Sequence, residues 1–181
     1  MLVAVVFAVA AIAKGRSSDA FREFTRSIRR LGVPVPGTGT PVAAAIIATE
    51  SAIAVLLTWS AALAAAGVAG PWRTIPGVAG LALAAALLIL FSAGIYAGLR
   101  RGGSATCQCF GPSATVLGVP HIVRNLLLGG LAATGALLPG GTGETAGMAL
   151  AACSGVVVAL LVIASDDLVQ LFRADIAAPS N

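Results

Sequence analysis

The run PGVAGLALAAALLILFSAGIYAGL, from Pro76 to Leu99, holds no charged side chain and stops at Arg100-Arg101. As a helix it rises roughly 36 Å, enough to cross a hydrocarbon core of about 30 Å. A run of this length predicts a membrane-spanning helix, and the rest of the chain reads the same way. Of the 181 residues, 58% are hydrophobic and only 10% charged, with a mean hydropathy of +0.98. Soluble domains carry about 25% charged residues, so an ordinary water-soluble fold is excluded. The expected fold class is all-α, an integral membrane helical bundle of four to five transmembrane helices, in the lipid bilayer of the cell membrane and multi-pass.

Working outward, a second span is expected from about Pro41 to Ala66, with proline where a helix tolerates it best. It carries one acid, Glu50. A fourth opens at Pro120 and ends at Leu138-Pro139, and a fifth covers about Ala146 to Ala164, closed by Asp166 and Asp167. The first apolar stretch, Met1 to Ala13, resembles a signal-peptide core but lacks a preceding basic residue, so it reads as a retained helix. Its continuation to about Ser18 has Lys14 and Arg16 snorkelling toward the interface. Residues 1–165 are expected to form one bundle and 166–181 a short polar tail.

Between the first two spans, Phe21, Phe24, Ile28 and Leu31 recur at helical spacing among Arg22, Arg26, Arg29 and Arg30. This pattern predicts an amphipathic helix in the interface, apolar side down. The Pro/Gly-rich run Val33 to Pro41 ends it. The net charge of +4 does not point to nucleic acid, because the basic residues sit at the ends of apolar runs, where they orient helices. With alternating helices, the first long loop, the cysteine loop and the tail share one side. The positive-inside rule makes that side cytoplasmic.

Chemistry concentrates between the third and fourth spans, in Cys107-Gln108-Cys109-Phe110-Gly111. A disulfide across a one-residue spacer is a tight ring, strained and readily reduced, and so suited to exchange. The amino terminus of the fourth helix, with His121 and Arg124, supplies positive charge that favours a thiolate. Arg124 and Asn125 are placed to anchor the loop to the bundle. Cys107, Cys109 and His121 with Cys153 offer a competing reading, a soft-cation site of thiolates and imidazole, although their spacing matches no common zinc pattern. Ordinary reduced loop cysteines are the plain alternative, and Cys153 reads as a helix-packing residue. Glu50, deep in its span, is either a functional acid that passes protons or contacts a quinone-like cofactor, or a protonated carboxyl bonded to Tyr96 or Ser92.

Cys107-Gln-Cys109-Phe110-Gly111, followed by Val123-Arg124-Asn125-Leu126-Leu127, resembles the methylamine utilisation protein MauE family, within the broader DoxX-like membrane proteins. Earlier landmarks agree: Ile12-Ala13-Lys14, the Phe-rich linker before Gly32-Val-Pro34, and Glu50 within Ala48 to Leu57. The resemblance implies a small helical bundle, with Cys107 and Cys109 as the redox pair. It also implies work beside a thioredoxin-like protein in maturing an exported, disulfide-rich amine dehydrogenase.

The reading taken forward is a membrane protein with a Cys-x-Cys thiol/disulfide loop supporting disulfide formation or maturation of a partner. Cys107 and Cys109 are the candidate catalytic pair, supported by His121, Arg124, Asn125 and Glu50. The expected partners are a thioredoxin-like or exported substrate protein and a quinone-like acceptor. No motif identifies a bound cofactor, and no metal is assigned. The alternative is a non-catalytic membrane scaffold or soft-metal-handling protein.

Overall fold

A computed structural model describes residues 1–30, 39–101, 106–107, 115–116, 119–137, 155 and 157–158. Five helices and one short ladder follow in chain order: α1 (Leu2–Gly15), α2 (Ser18–Arg30), α3 (Thr40–Ala65), α4 (Pro71–Arg100), β1 (Thr106–Cys107), β2 (Thr115–Val116) and α5 (Val119–Leu137). Among the described residues the fold is all-helical apart from that ladder of two residues per strand. Helices α3 and α4, 26 and 30 residues long, are each long and apolar enough to cross a membrane. A soluble core helix would bury its large apolar side chains. Here Val55, Leu83, Ile89 and Leu90 face outward, as do Leu126 and Leu131 on α5, and a surface of this kind is compatible with lipid rather than water.

Local chemistry sets the helix ends. Gly39, at φ +77°, precedes α3, and Pro41 lies in its first turn. The carboxyl end of α3 closes in a Schellman turn: Gly67 at φ +73° donates to the Ala64 carbonyl, and Val68 to Leu63. Four residues later Pro71 opens α4. The helix therefore begins five residues before the expected start at Pro76, which lies inside it. Pro71 costs the helix nothing, since the first turn's donors are unpaired anyway, whereas Pro76, in the second turn, removes the bond its position would donate to the Trp72 carbonyl, and α4 continues past it.

Helix α3 packs between α1 and α4, and α4 between α3 and α5. The shared core comprises Val6 and Phe7 of α1, Ile53 of α3, Ala84, Ala85, Leu87 and Leu88 of α4, and Leu128 and Ala132 of α5. Small residues permit close approach, which is the main source of helix association in lipid. A Cβ at Gly80 would stand 2.8 Å from Leu57 Cδ2, and one at Gly129 would be 3.6 Å from Leu88 Cβ. Gly155 and Val157–Val158 of the expected fifth span are helical, and a Cβ on Gly155 would stand 3.0 Å from the Leu2 nitrogen. The remainder of that span and the tail lie outside the described residues.

The amphipathic segment is α2, but its apolar side does not face down into lipid. Phe24 and Ile28 are buried against Ala43, with Phe21, Val42, Ile46 and Ile47 around them. Docking onto the first turns of α3 satisfies the same apolar stripe as lipid would. The polar positions on that face are satisfied within the helix: Thr25 donates to the Phe21 carbonyl and Ser27 to that of Glu23. The solvent side carries an Arg22–Asp19 ion pair of 2.5 Å and a second between Arg26 and Glu23. At the opposite end of α3, Trp59 and Trp72 are exposed, as expected of side chains at a membrane interface.

Candidate functional site: a cysteine ladder and a buried ion pair

The cysteine loop is fastened at both ends. Leaving α4, the chain forms β1, which pairs antiparallel with β2 so that Thr106 faces Val116 and Cys107 faces Thr115. The ladder lies against α2. The first cysteine of the motif is therefore held in a paired backbone, at the end of the bundle where the charged helix sits. Three residues beyond β2 the chain enters α5. Cys109, Phe110, Gly111 and Cys153 lie outside the described residues, so the proposed Cys107–Cys109 pairing does too.

His121, Arg124 and Asn125 fall at helical spacing on one face of the first turns of α5. Asn125 is buried, His121 and Arg124 are half-buried, and both of the latter are engaged in polar or ring interactions. The three supporting residues are thus brought together where the loop re-enters the bundle.

Glu50 is also among the buried groups, but its partner is neither Tyr96 nor Ser92. Tyr96 is exposed and stacks under the Arg100 guanidinium, 5.2 Å from the ring centre. Ser92 gives its hydroxyl proton to the Leu88 carbonyl, as serines inside helices commonly do. Instead Lys14 Nζ donates to Glu50 Oε1 at 2.6 Å, with 3% and 1% of the two side chains exposed. The ammonium also lies 5.1 Å from the centre of the Phe24 ring and 5.9 Å from that of Phe91. Among the described residues, nothing bonds Glu50 Oε2.

Lys14 therefore does not snorkel. Helix α1 ends beside Ile47, which an added Cβ on Gly15 would approach to 3.9 Å. That level is about 10 Å below the start of α3 at 1.5 Å per residue. From there the lysine reaches the acid more readily than it reaches water. Sequence reasoning missed this residue, although a signal existed. An acid inside an apolar span requires a cationic or donor partner, and Lys14 is the first cation after the preceding apolar stretch.

Chemically, the two clusters differ. The ladder holds Cys107 in a paired backbone beside α2. The ion pair is a sealed donor–acceptor unit whose ammonium meets two aromatic faces.

Neither a curated protein nor a solved structure matches the chain. A family model described as methylamine utilisation protein MauE matches residues 1–138, a stretch that includes α1 to α5, the Lys14–Glu50 pair and the whole cysteine loop. The chain belongs to the methylamine utilisation protein MauE family, and it is a membrane protein.

Proposed function

We propose that this protein is a multi-pass protein of the cell membrane in which Cys107 and Cys109 cycle between dithiol and disulfide, supporting disulfide formation or maturation of a partner protein. In the oxidised form, a thiolate of the partner attacks one sulfur of the Cys107–Cys109 bond. A mixed disulfide forms, and the partner's second thiolate then displaces it. The partner leaves with its own disulfide and the chain is left as dithiol. Reoxidation removes two electrons and two protons, which pass to a quinone-like acceptor in the membrane. A thioredoxin-like or exported substrate protein is the exchange partner. By resemblance, the pathway served is amine metabolism of the methylamine dehydrogenase type.

The observation that carries this reading is the pairing of Cys107 with Thr115 in a ladder seated against α2. A fixed backbone on one side of a one-residue spacer favours a strained, exchangeable bond over a structural one. His121 and Arg124 on the following helix add cationic character that stabilises a thiolate.

The test is thiol trapping in purified protein, with and without reductant. A maleimide should add to two further thiols after reduction, and Cys109→Ser or Cys107→Ser should accumulate a mixed disulfide with a thioredoxin-like protein. Thiols that stay reduced under oxidising conditions, with no mixed disulfide, would sink the proposal.

A further inference from the structure

Helix α2 spends its apolar side on the bundle and turns its charge outward. With Phe24 and Ile28 docked against Ala43, Arg22, Arg26 and Arg29 stand exposed away from that contact. Steps of four and three residues put the three in one row along the helix. Arg16, just before α2, is exposed as well, and so are Arg100 and Arg101. A Cβ on Gly77 would meet Ser60 and one on Gly80 would meet Leu57, so α4 runs back along α3. Its carboxyl end therefore returns to the end of the bundle where α2 is docked.

Helix length sets the level of that end in the bilayer. From Trp72, exposed at the far interface, to Arg100, α4 rises about 42 Å at 1.5 Å per residue. A hydrocarbon core with both headgroup layers is about 40–45 Å thick, so the arginines stand among headgroups. Among the described residues, two carboxylates face these six exposed arginines: Asp19 pairs with Arg22 and Glu23 with Arg26. Exposed pairs of this kind are weak and yield to a competing anion. Arg16 and Arg29 make no ion pair among the described residues.

We infer that the outer row of α2, with Arg16 and the end of α4, is a docking surface for the headgroups of anionic phospholipid. Each guanidinium offers a planar fork of donors that matches phosphate geometry, and a row of them at headgroup level attracts lipid of net negative charge over zwitterionic lipid. A nucleic acid fits less well, because the row holds no aromatic side chain on which bases could stack. An acidic protein would have to reach into the headgroup layer to cover it, whereas lipid is already there. This surface is separate from the thiol reaction and does not rest on it.

The experiment titrates the full chain, in micelles of a non-ionic detergent, with phosphatidylglycerol or with phosphatidylcholine of the same acyl chains, and counts retained lipid by native mass spectrometry. Phosphatidylglycerol should half-saturate the protein at a concentration about tenfold or more below that of phosphatidylcholine, equivalent to about 1.4 kcal/mol. Raised ionic strength should erode the preference, since exposed charges are screened. The triple variant Arg22→Gln/Arg26→Gln/Arg29→Gln should abolish it, and Arg73→Gln, which removes the same charge at the other end of the bundle, should leave it unchanged. Asp19→Asn/Glu23→Gln, which frees two guanidinium groups, should strengthen it by about fivefold or more. Equal retention of the two lipids, or an undiminished preference in the triple variant, would overturn the surface. If the triple variant does not fold, the amide variant decides, and no gain in it would overturn the surface as well. Poly-glutamate that binds the row in protein showing no lipid preference would assign it to an acidic protein instead.

Discussion

Lys14 Nζ and Glu50 Oε1 meet at 2.6 Å in a pocket closed by Phe24 and Phe91, joining the last turn of α1 to the middle of α3. Two charges removed from solvent are costly, and their attraction offsets that cost only while both are present. Glu50→Ala or Lys14→Ala should therefore destabilise the bundle by about 3–5 kcal/mol. Lys14→Met/Glu50→Gln should recover most of that loss. Equilibrium unfolding in mixed detergent micelles, run as a double-mutant cycle, checks both. Single variants as stable as the wild type would show that the pair is not sealed.

The glycines of α4 differ in what they do for the α3–α4 contact: Gly77 and Gly80 face α3 closely and Gly94 does not. A methyl group at Gly80 would stand 2.8 Å from Leu57 Cδ2 and 3.3 Å from Leu56 Cβ, whereas at Gly94 it would meet open space. Gly80→Ala should cost about 1–3 kcal/mol, since Leu57 must move and α4 must shift. Gly94→Ala should be neutral or stabilise by up to about 1 kcal/mol through helix propensity. Thermal unfolding of the two variants in the same detergent gives the comparison, and equal shifts would contradict the packing.

At Gly67, the left-handed conformation, rather than space, sets the requirement, because nothing lies within 4 Å of its Cβ position. Gly67→Ala should cost about 1–2 kcal/mol, the penalty of an L-residue in that region. Thermal unfolding in detergent would register the loss. Gly67→Asn should recover part of it, since asparagine tolerates the conformation better.

Helix α2 and β1 share one end of the bundle, and the α3–α4 turn with Trp72 marks the other. In a background lacking the native cysteines, Asp19→Cys and a restored Cys107 should react together with a membrane-impermeant maleimide, and Arg73→Cys only from the opposite side. The positive-inside rule puts Asp19 and Cys107 on the cytoplasmic face. Labelling of Asp19→Cys and Cys107 from opposite sides would break the shared end. Labelling of both from outside would keep the geometry and invert the orientation.

Much of this architecture is legible without coordinates. The absence of charge from Pro76 to Leu99 is enough to demand a spanning helix, because only a helix satisfies its own backbone in lipid. Proline and glycine punctuation located α3 and α5 to within a residue of their observed ends. The cysteine motif and the His121, Arg124, Asn125 cluster are likewise visible, as residue types that apolar scaffolding does not call for. Periodicity also located α2, but on the wrong support. An apolar stripe records only that a face avoids water, and lipid and α3 satisfy it equally.

Composition and hydropathy by themselves thus determined a helical membrane protein with a thiol loop between its third and fourth expected spans. Only the tertiary structure decided where Lys14 and Glu50 go. They are 36 residues apart, and their pairing depends on how far α1 descends beside α3. That depth is set by the packing of Val6 and Phe7 against Ile53 and Ala84, and packing of that kind leaves no local trace in the chain.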